Sequence, residues 1–480
     1  MKTFRWLAST AIFLSLISCG ENIRDQHRAE NPEAFEEGPQ VEITEDNGPK
    51  TDASTEWIKN AVIYEVNVRQ YSEQGDFAGF EAHLPRLKEL GVNVLWFMPI
   101  HPIGIKNRKE TEASMGSYYA VKDYKAVNPD FGTLEDFKAL VNTCHEMGFK
   151  VVLDWVANHS APDHAWVEEH PEFYTKDEEG NYPIAPVGTD WWDVADLNYE
   201  EPGLRAAMID AMKFWVNECD IDGYRCDVAG EVPIDFWEEA RPQLEEKKKL
   251  FMLAEWEDEN YYKAFDFTYA WHLNHLMTEI SAGNQSVEDL VKMSCKEVSN
   301  WLSDSLSVKP CGPYSCQMNF TTNHDENSWK KSVFERLGPA HRMWAALSFT
   351  APGIPLIYSG QEVGNGKTLK FFDKDEIDWS KDSLSDFYTD LIKLKHENTA
   401  LWIGQNGGSF ESFKLNNEHI YGFYRVGSGD LLMAYFNMSS EKQSFAFPSA
   451  GFVSQFKTDG NGMVLGPWQY KIFTAKSNQI

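Results

Sequence analysis

IDGYRCDVAGEVP, residues 221–233, is the stretch from which the fold can be read. Ile221 to Asp227 reads as a short strand that closes with a charged pair, Arg225 and Asp227, after which the chain turns away toward a helix. This pattern predicts a strand whose C-terminal end carries an arginine two residues before a carboxylate. In a barrel of parallel strands and helices, chemistry is placed at such strand ends. The neighbouring guanidinium favours the ionised carboxylate, which suits a nucleophile. The alternative for this stretch alone is a structural salt bridge at a strand end.

The chain around it alternates. Upstream lie AVIYEVNVR (61–69), VNVLWFMPI (92–100) and FKVVLDWV (149–156), nearly continuous apolar runs, as expected of strands buried on both faces. Between them FAGFEAHLPRLKELG (77–91) and TLEDFKALVNTCHEMG (133–148) have helical spacing and stop at Gly91 and Gly148. Helix 203–218 precedes the opening stretch and helix 236–248 follows it. KLFMLAEW (249–256) is a fifth strand, KAFDFTYA (263–270) a weak sixth, SCQMNFTTNHD (315–325) a seventh and PGIPLIYSGQE (352–362) an eighth, with helix 341–350 between the last two. The expectation is a (β/α)8 barrel, an α/β fold, over residues 56–398. It carries an insertion at 157–200 after strand three, rich in His, Pro, Asp, Trp and Tyr. From residue 399 to 480 short alternating runs broken by Gly, Asn and Ser predict an antiparallel β-sandwich.

The N-terminus reads differently. Residues 1–19 have a basic start at Lys2 and Arg5 and an apolar run from Leu7 to Ile17, too short to span a bilayer. Leu16-Ile17-Ser18-Cys19 resembles a bacterial lipobox, which implies cleavage before Cys19 and a lipid on its thiol. Residues 20–55 are polar and acidic and read as a flexible tether. The expected address is therefore the bacterial cell envelope, with the membrane as a partner through Cys19. A net charge of −30 over 480 residues argues against nucleic acid as a partner. Cys144, Cys219 and Cys226 read as core thiols. Cys295, Cys311 and Cys316 sit in a less regular region where an exported protein could form a disulfide, Cys311 with Cys316 or Cys295 with either.

A closed barrel gathers the strand ends. Asp154, Asn158 and His159 follow strand three, Arg225 and Asp227 strand four, Glu255 strand five, and Asn323, His324 and Asp325 strand seven. Three carboxylates in one cleft repel one another and are costly to desolvate, so their convergence points to catalysis. Paired carboxylates suit glycoside hydrolysis, one attacking the anomeric carbon and one protonating the leaving oxygen. Asp227 beside Arg225 is the candidate nucleophile, and Glu255 beside Trp256 the candidate acid. Of the tryptophans in and near the insertion, Trp191 or Trp192 is expected near the cleft.

With DWVANH (154–159), GYRCDVAGE (223–231), AEW (254–256) and NHD (323–325) in this order, the chain from about residue 57 to 480 resembles the α-amylase superfamily, glycoside hydrolase family 13. GVNVLWFMP (91–99), ADLN (195–198) and GIPLIYSGQEVG (353–364) add to the likeness. The resemblance implies a retaining mechanism on α-1,4-linked glucans or maltooligosaccharides. It gives Asp227 the role of nucleophile, Glu255 of acid/base and Asp325 of the third carboxylate, which holds sugar hydroxyls. It makes Arg225 the orienting arginine, His159 and His324 hydroxyl-binding histidines and Tyr119 the residue that stacks on the sugar, with Asp154 supporting the site. By the same resemblance Asn158 and Asp196 match calcium ligands of many α-amylases. Two oxygens fall short of the six to eight that calcium takes, and the alternative is an Asn and an Asp hydrogen-bonded between insertion and barrel.

Two departures bear on specificity. Many α-amylases carry a Lys-His pair where this chain has Gly230 and Glu231, and DVAGEVPIDFW is instead similar to the segment of cyclomaltodextrin- and pullulan-degrading members. Those members usually have an extra N-terminal domain used in dimerisation, whereas this chain has a tether there, so a monomer is expected. A cyclomaltodextrinase- or neopullulanase-type specificity and a glucosyl-transferring activity are the alternatives within the family. A non-catalytic glycan-binding lipoprotein is the alternative outside it.

Overall fold

The computed structural model describes residues 53–110, 114–293, 314–404, 407–412, 415–448, 456 and 461–476. The targeting segment, Cys19, nearly all of the tether, Cys295 and Cys311 lie outside the described residues.

Eight parallel strands close into a barrel: β1 (Ile63–Val66), β2 (Val94–Phe97), β3 (Lys150–Trp155), β4 (Gly223–Cys226), β5 (Phe251–Ala254), β6 (Phe267–Tyr269), β7 (Cys316–Asn319) and β8 (Ile354–Tyr358). Each strand pairs with its neighbours in sequence order, and β8 returns to β1, with Ile63 opposite Leu356. The weak sixth strand is real but only three residues long.

Both faces of the strands are buried, and their alternation sorts the core into two shells. Ile63, Val94, Trp96, Val152, Phe251, Leu253 and Phe267 fill the barrel interior. Tyr64, Leu95, Val151, Leu153, Tyr224 and Met252 face the surrounding helices. Gly223 is required by this packing, since a Cβ there would stand 2.0 Å from the Phe251 carbonyl oxygen.

The helices begin and stop for local reasons. Helix Leu134–Glu146 starts with a capping box, Thr133 Oγ1 accepting from Asp136 N at 3.2 Å while Thr133 N donates to Asp136 Oδ2 at 2.8 Å. The run expected as one helix over 77–91 is two, Phe77–Glu81 and Leu84–Leu90. Pro85 lacks an N–H and fits only the first turn of a helix, so the second helix starts anew around it.

The insertion is a small subdomain. Two-residue strands, His159–Ser160 and Ala195–Asp196, pair antiparallel at its root. At the C-terminal end, strands β9 (Ser409–Ser412), β10 (Ile420–Val426), β11 (Asp430–Asn437) and β14 (Tyr470–Lys476) form a sheet in that spatial order. Strands β12 (Gln443–Ala446) and β13 (Gly462–Leu465) form a second, two-stranded sheet. One face of β11, with Leu432, Ala434 and Phe436, joins the barrel's outer core. The other, with Met433 and Tyr435, packs on Phe445 and Leu465.

Cys144, Cys219, Cys226 and Cys316 are buried free thiols. Cys316 lies in the barrel interior on β7, so the pairing expected for it is not formed. Among the described residues no helix is long and apolar enough to cross a membrane.

Candidate active site

The strand alternation that fills the barrel also aims the site. Val152 points inward, so Asp154 does too; Phe251 and Leu253 point inward, and Glu255 follows one pleat further. By the same parity Arg225 and Asp227 leave β4 inward, and Glu65 leaves β1 inward beyond Ile63. The side chains meet at the C-terminal mouth of the barrel, in a cleft of about 520 Å³ whose lining includes Tyr119, His159, Asp227, Glu255, His324 and Asp325.

Arg225 is fully buried at the centre. Its Nη1 donates to Asp154 Oδ1 at 2.8 Å and to Asp227 Oδ1 at 2.9 Å, and its Nε donates to the Tyr269 hydroxyl at 2.9 Å. Nη2 lies 2.8 Å from Glu255 Oε2 as an ion pair outside hydrogen-bond geometry. One guanidinium thus faces three buried carboxylates and cannot neutralise them all. Burial raises all three. Glu255 is raised by burial, pulled down by Arg225 and pushed up again by Asp227 and Asp325, to about 8. Asp227 is raised by burial and lowered by Arg225, ending at about 6 with help from Asp154 and Asp325. Arg225 favours the ionised form of Asp227, as expected, but the desolvation cost exceeds that attraction and leaves the carboxyl above its ordinary range.

Val228 follows Asp227 with φ 34° and ψ 48°, a left-handed conformation that a β-branched residue rarely adopts. Its N–H donates to Glu255 Oε2 at 2.8 Å. The hydrogen bond ties the Asp227 loop to Glu255 against a local strain of order 1–3 kcal/mol.

A second cluster surrounds His324. Its Nδ1 contacts Glu65 Oε1, its Nε2 lies 2.7 Å from the Tyr119 hydroxyl, and Asp325 Oδ2 stands 3.3 Å from Nε2. Burial alone would lower this ring, but Asp325 and Glu65 outweigh it and hold it at about 9, as an imidazolium. Tyr119 in turn donates to Asp154 Oδ2 at 3.2 Å, which also accepts from Trp96 Nε1 at 3.1 Å. His159 has no such partners. Burial lowers it to about 4, so it is neutral, and Asn158 Nδ2 lies 3.2 Å from its Nδ1.

The eight residues expected to form the catalytic and sugar-binding set are thus brought together. The pair matched to calcium ligands lies at the root of the insertion. Asn158 turns its amide to His159, and Asp196 sits across the two-residue strand pair from His159. Among the described residues no group of three or more His, Cys, Asp or Glu is placed to hold a metal. Trp191 lines the cleft, and Trp192 stands at its rim under Lys109, whose Nζ is 4.6 Å from the ring centre. Sequence reasoning passed over Glu65, Trp329, Phe371 and Phe372. Glu65 had a signal, a lone carboxylate at inward parity in an apolar strand. The aromatic residues had none, because loops far apart in sequence bring them together.

A carboxylate-lined cleft at the top of a (β/α)8 barrel, flanked by an insertion and backed by a C-terminal β domain, is the layout of a carbohydrate-active hydrolase. Residues 32–410 match the catalytic domain of alpha amylase, and the chain belongs to the alpha-amylase family of glycoside hydrolases. That match begins within the stretch read as a tether. An alpha-amylase from Lactobacillus plantarum is 31% identical with a TM-score of 0.75, covering 87% of this chain and 99% of its own. The noncanonic maltogenic alpha-amylase AmyB from Thermotoga neapolitana is 29% identical with a TM-score of 0.76, at the same coverage. Alpha-amylase MalA of Haloarcula japonica is 25% identical over 438 residues, 86% of this chain, which spans 59% of MalA's length.

Proposed function

We propose that this chain cleaves α-1,4-glucosidic bonds of starch-derived glucans or maltooligosaccharides with retention of configuration. The observation that carries this reading is the convergence of Asp227, Glu255 and Asp325 on one cleft, with buried Arg225 2.9 Å from Asp227 Oδ1 and 2.8 Å from Glu255 Oε2. A pair of carboxyl groups facing one cleft can divide the roles of nucleophile and acid. Asp227 attacks the anomeric carbon while Glu255 gives its proton to the departing glycosidic oxygen, leaving a glycosyl ester on Asp227. Glu255, now ionised, takes a proton from water as the water attacks the same carbon, and Asp227 leaves as a carboxylate. Asp325, His324 and neutral His159 hold sugar hydroxyls, Tyr119 stacks on the ring, and Asp154 fixes Arg225 and Tyr119. The reaction needs no metal step. Asn158 and Asp196 supply too few oxygens for calcium, and a structural ion there would need donors from elsewhere.

A second reading within the family has its own support. A Cβ at Gly230 would stand 2.0 Å from the Trp256 ring, so the indole beside Glu255 occupies the space that a side chain at 230 would need. The contact to the next sugar made by a lysine in many α-amylases therefore has no counterpart at position 230. This favours cyclomaltodextrinase- or neopullulanase-like specificity, or transfer to a sugar acceptor in place of water. The lipobox-like Leu16–Cys19 segment supports anchoring at the bacterial envelope through a lipid on Cys19, and the chain acts as a monomer in this reading.

Product analysis on maltoheptaose, pullulan and cyclomaltodextrin tests these assignments, with Asp227→Asn as the control. Short maltooligosaccharides from maltoheptaose support the amylase reading, ready cleavage of the other two supports the second, and products longer than the substrate indicate transfer. Asp227→Asn should lower the rate by at least about 10³-fold. An unchanged rate in that variant would remove the catalytic reading and leave a glycan-binding protein.

A further inference from the structure

We propose that Trp329, with Phe371 and Phe372 beneath it, is a stacking platform for a glucosyl ring outside the cleavage centre, and that it sets the preference for longer chains; the inference rests on the glucan-cleaving reading above. Trp329 lies on the π-helical turn Glu326–Lys330, directly after Asp325. π-turns occur often at functional sites, because they re-aim a side chain that a regular helix would carry elsewhere. Trp329 is 57% exposed, and yet it lines the same cleft as Asp227 and Glu255. A large ring left half in water at the edge of a polar cleft is the kind of surface a pyranose covers.

The rings behind it form a graded series. Tyr119, buried beside His324, is stacked on Phe371 with an interplanar angle of 12° and centroids 6.2 Å apart. Phe371 lies 5.0 Å from Trp329, and Phe372 5.9 Å. Aromatic surface therefore runs without a gap from the buried centre to the solvent-exposed Trp329.

The platform is also fixed in place, as a binding surface must be if it is not to lose its affinity to ordering. Buried Arg69 donates to the Phe371 carbonyl at 3.0 Å, and Met115 N to the Phe372 carbonyl at 2.9 Å. Asn327, two residues before Trp329, holds the facing loop with both ends of its amide, donating to Lys367 O at 3.0 Å and accepting from Leu369 N at 2.9 Å. The turn that carries Trp329 and the loop that carries the phenylalanines are thus one unit.

Binding of maltose, maltotriose, maltopentaose and maltoheptaose to the full chain tests this, measured calorimetrically in the Asp227→Asn background so that ligand is not consumed. Adding Trp329→Ala should weaken maltoheptaose about 3- to 10-fold, the effect of losing one aromatic contact, and should affect maltose much less. Trp329→Phe should recover most of the loss. Equal affinities with and without Trp329→Ala at every length would overturn the platform, as would an equal loss at all lengths in both variants, which marks a structural effect. Failure of the Asp227→Asn parent to bind any maltooligosaccharide would instead count against the glucan reading itself.

Discussion

Arg225 faces three carboxylates, and their burial, which one guanidinium only partly offsets, sets how the site titrates. Asp227 must be ionised to attack and Glu255 protonated to donate, so kcat/KM should follow a bell between their two values, about 6 and about 8. Activity falls below the lower limb because Asp227 gains a proton, and above the upper limb because Glu255 loses one. Glu255→Gln removes the titrating acid. On maltooligosaccharides it should cost about 10²–10⁴-fold, with less loss on a substrate whose leaving group needs no proton. A pH–rate profile whose alkaline limb survives in Glu255→Gln would show that another group is the acid. The pairing of Asp227 with Arg225 was legible from two letters in one strand. The desolvation that lifts Glu255 was not, because it depends on what other strands of the barrel place around it.

At the scale of elements, a strand of the C-terminal sheet closes a helix of the barrel. Arg425 on β10 is buried and donates through Nη1 to the carbonyls of Thr350, at 3.2 Å, and Ala351, at 3.1 Å. These carbonyls end helix His341–Thr350 and have no partner within it. Nη2 reaches Trp402 O at 3.2 Å and Gly408 O at 3.4 Å, on the connection between the two domains. A cation at a helix C-terminus also faces the favourable end of its dipole. Arg425→Met should therefore destabilise the protein by about 1–3 kcal/mol, the cost of leaving such buried acceptors unmade. Thermal unfolding checks this, and a midpoint equal to the parent's would mean the contact adds no stability. Period and punctuation revealed the helix and the strand separately. Nothing in either segment showed that they meet, since they lie about 75 residues apart.

At the scale of the whole molecule, the lipobox-like segment ending at Cys19 bears on where the enzyme acts. With a net charge of −30, the protein is repelled by anionic lipid surfaces, so retention at the envelope would depend on the thiol of Cys19. In a bacterial host that processes lipoproteins, Cys19→Ser should move the activity from the membrane fraction to the soluble fraction. Equal partitioning of parent and variant would reject the anchor.

Sequence alone determined the barrel, because apolar strands buried on both faces and helices punctuated by Gly91 and Gly148 leave few other architectures. It also determined which residues end the strands, since side-chain direction alternates with a period of two and carries Asp154, Arg225, Asp227 and Glu255 inward together. Tertiary structure decided what those residues do to one another. It set three carboxylates on one guanidinium, made His324 an imidazolium through Asp325 and through Glu65 two strands away around the barrel, and folded Gly230 under Trp256. It also joined Trp329 to Phe371 and Phe372 in one wall. Each of these results from electrostatics or packing between segments distant in the chain, and such forces depend on distance in space, which the order of residues does not record.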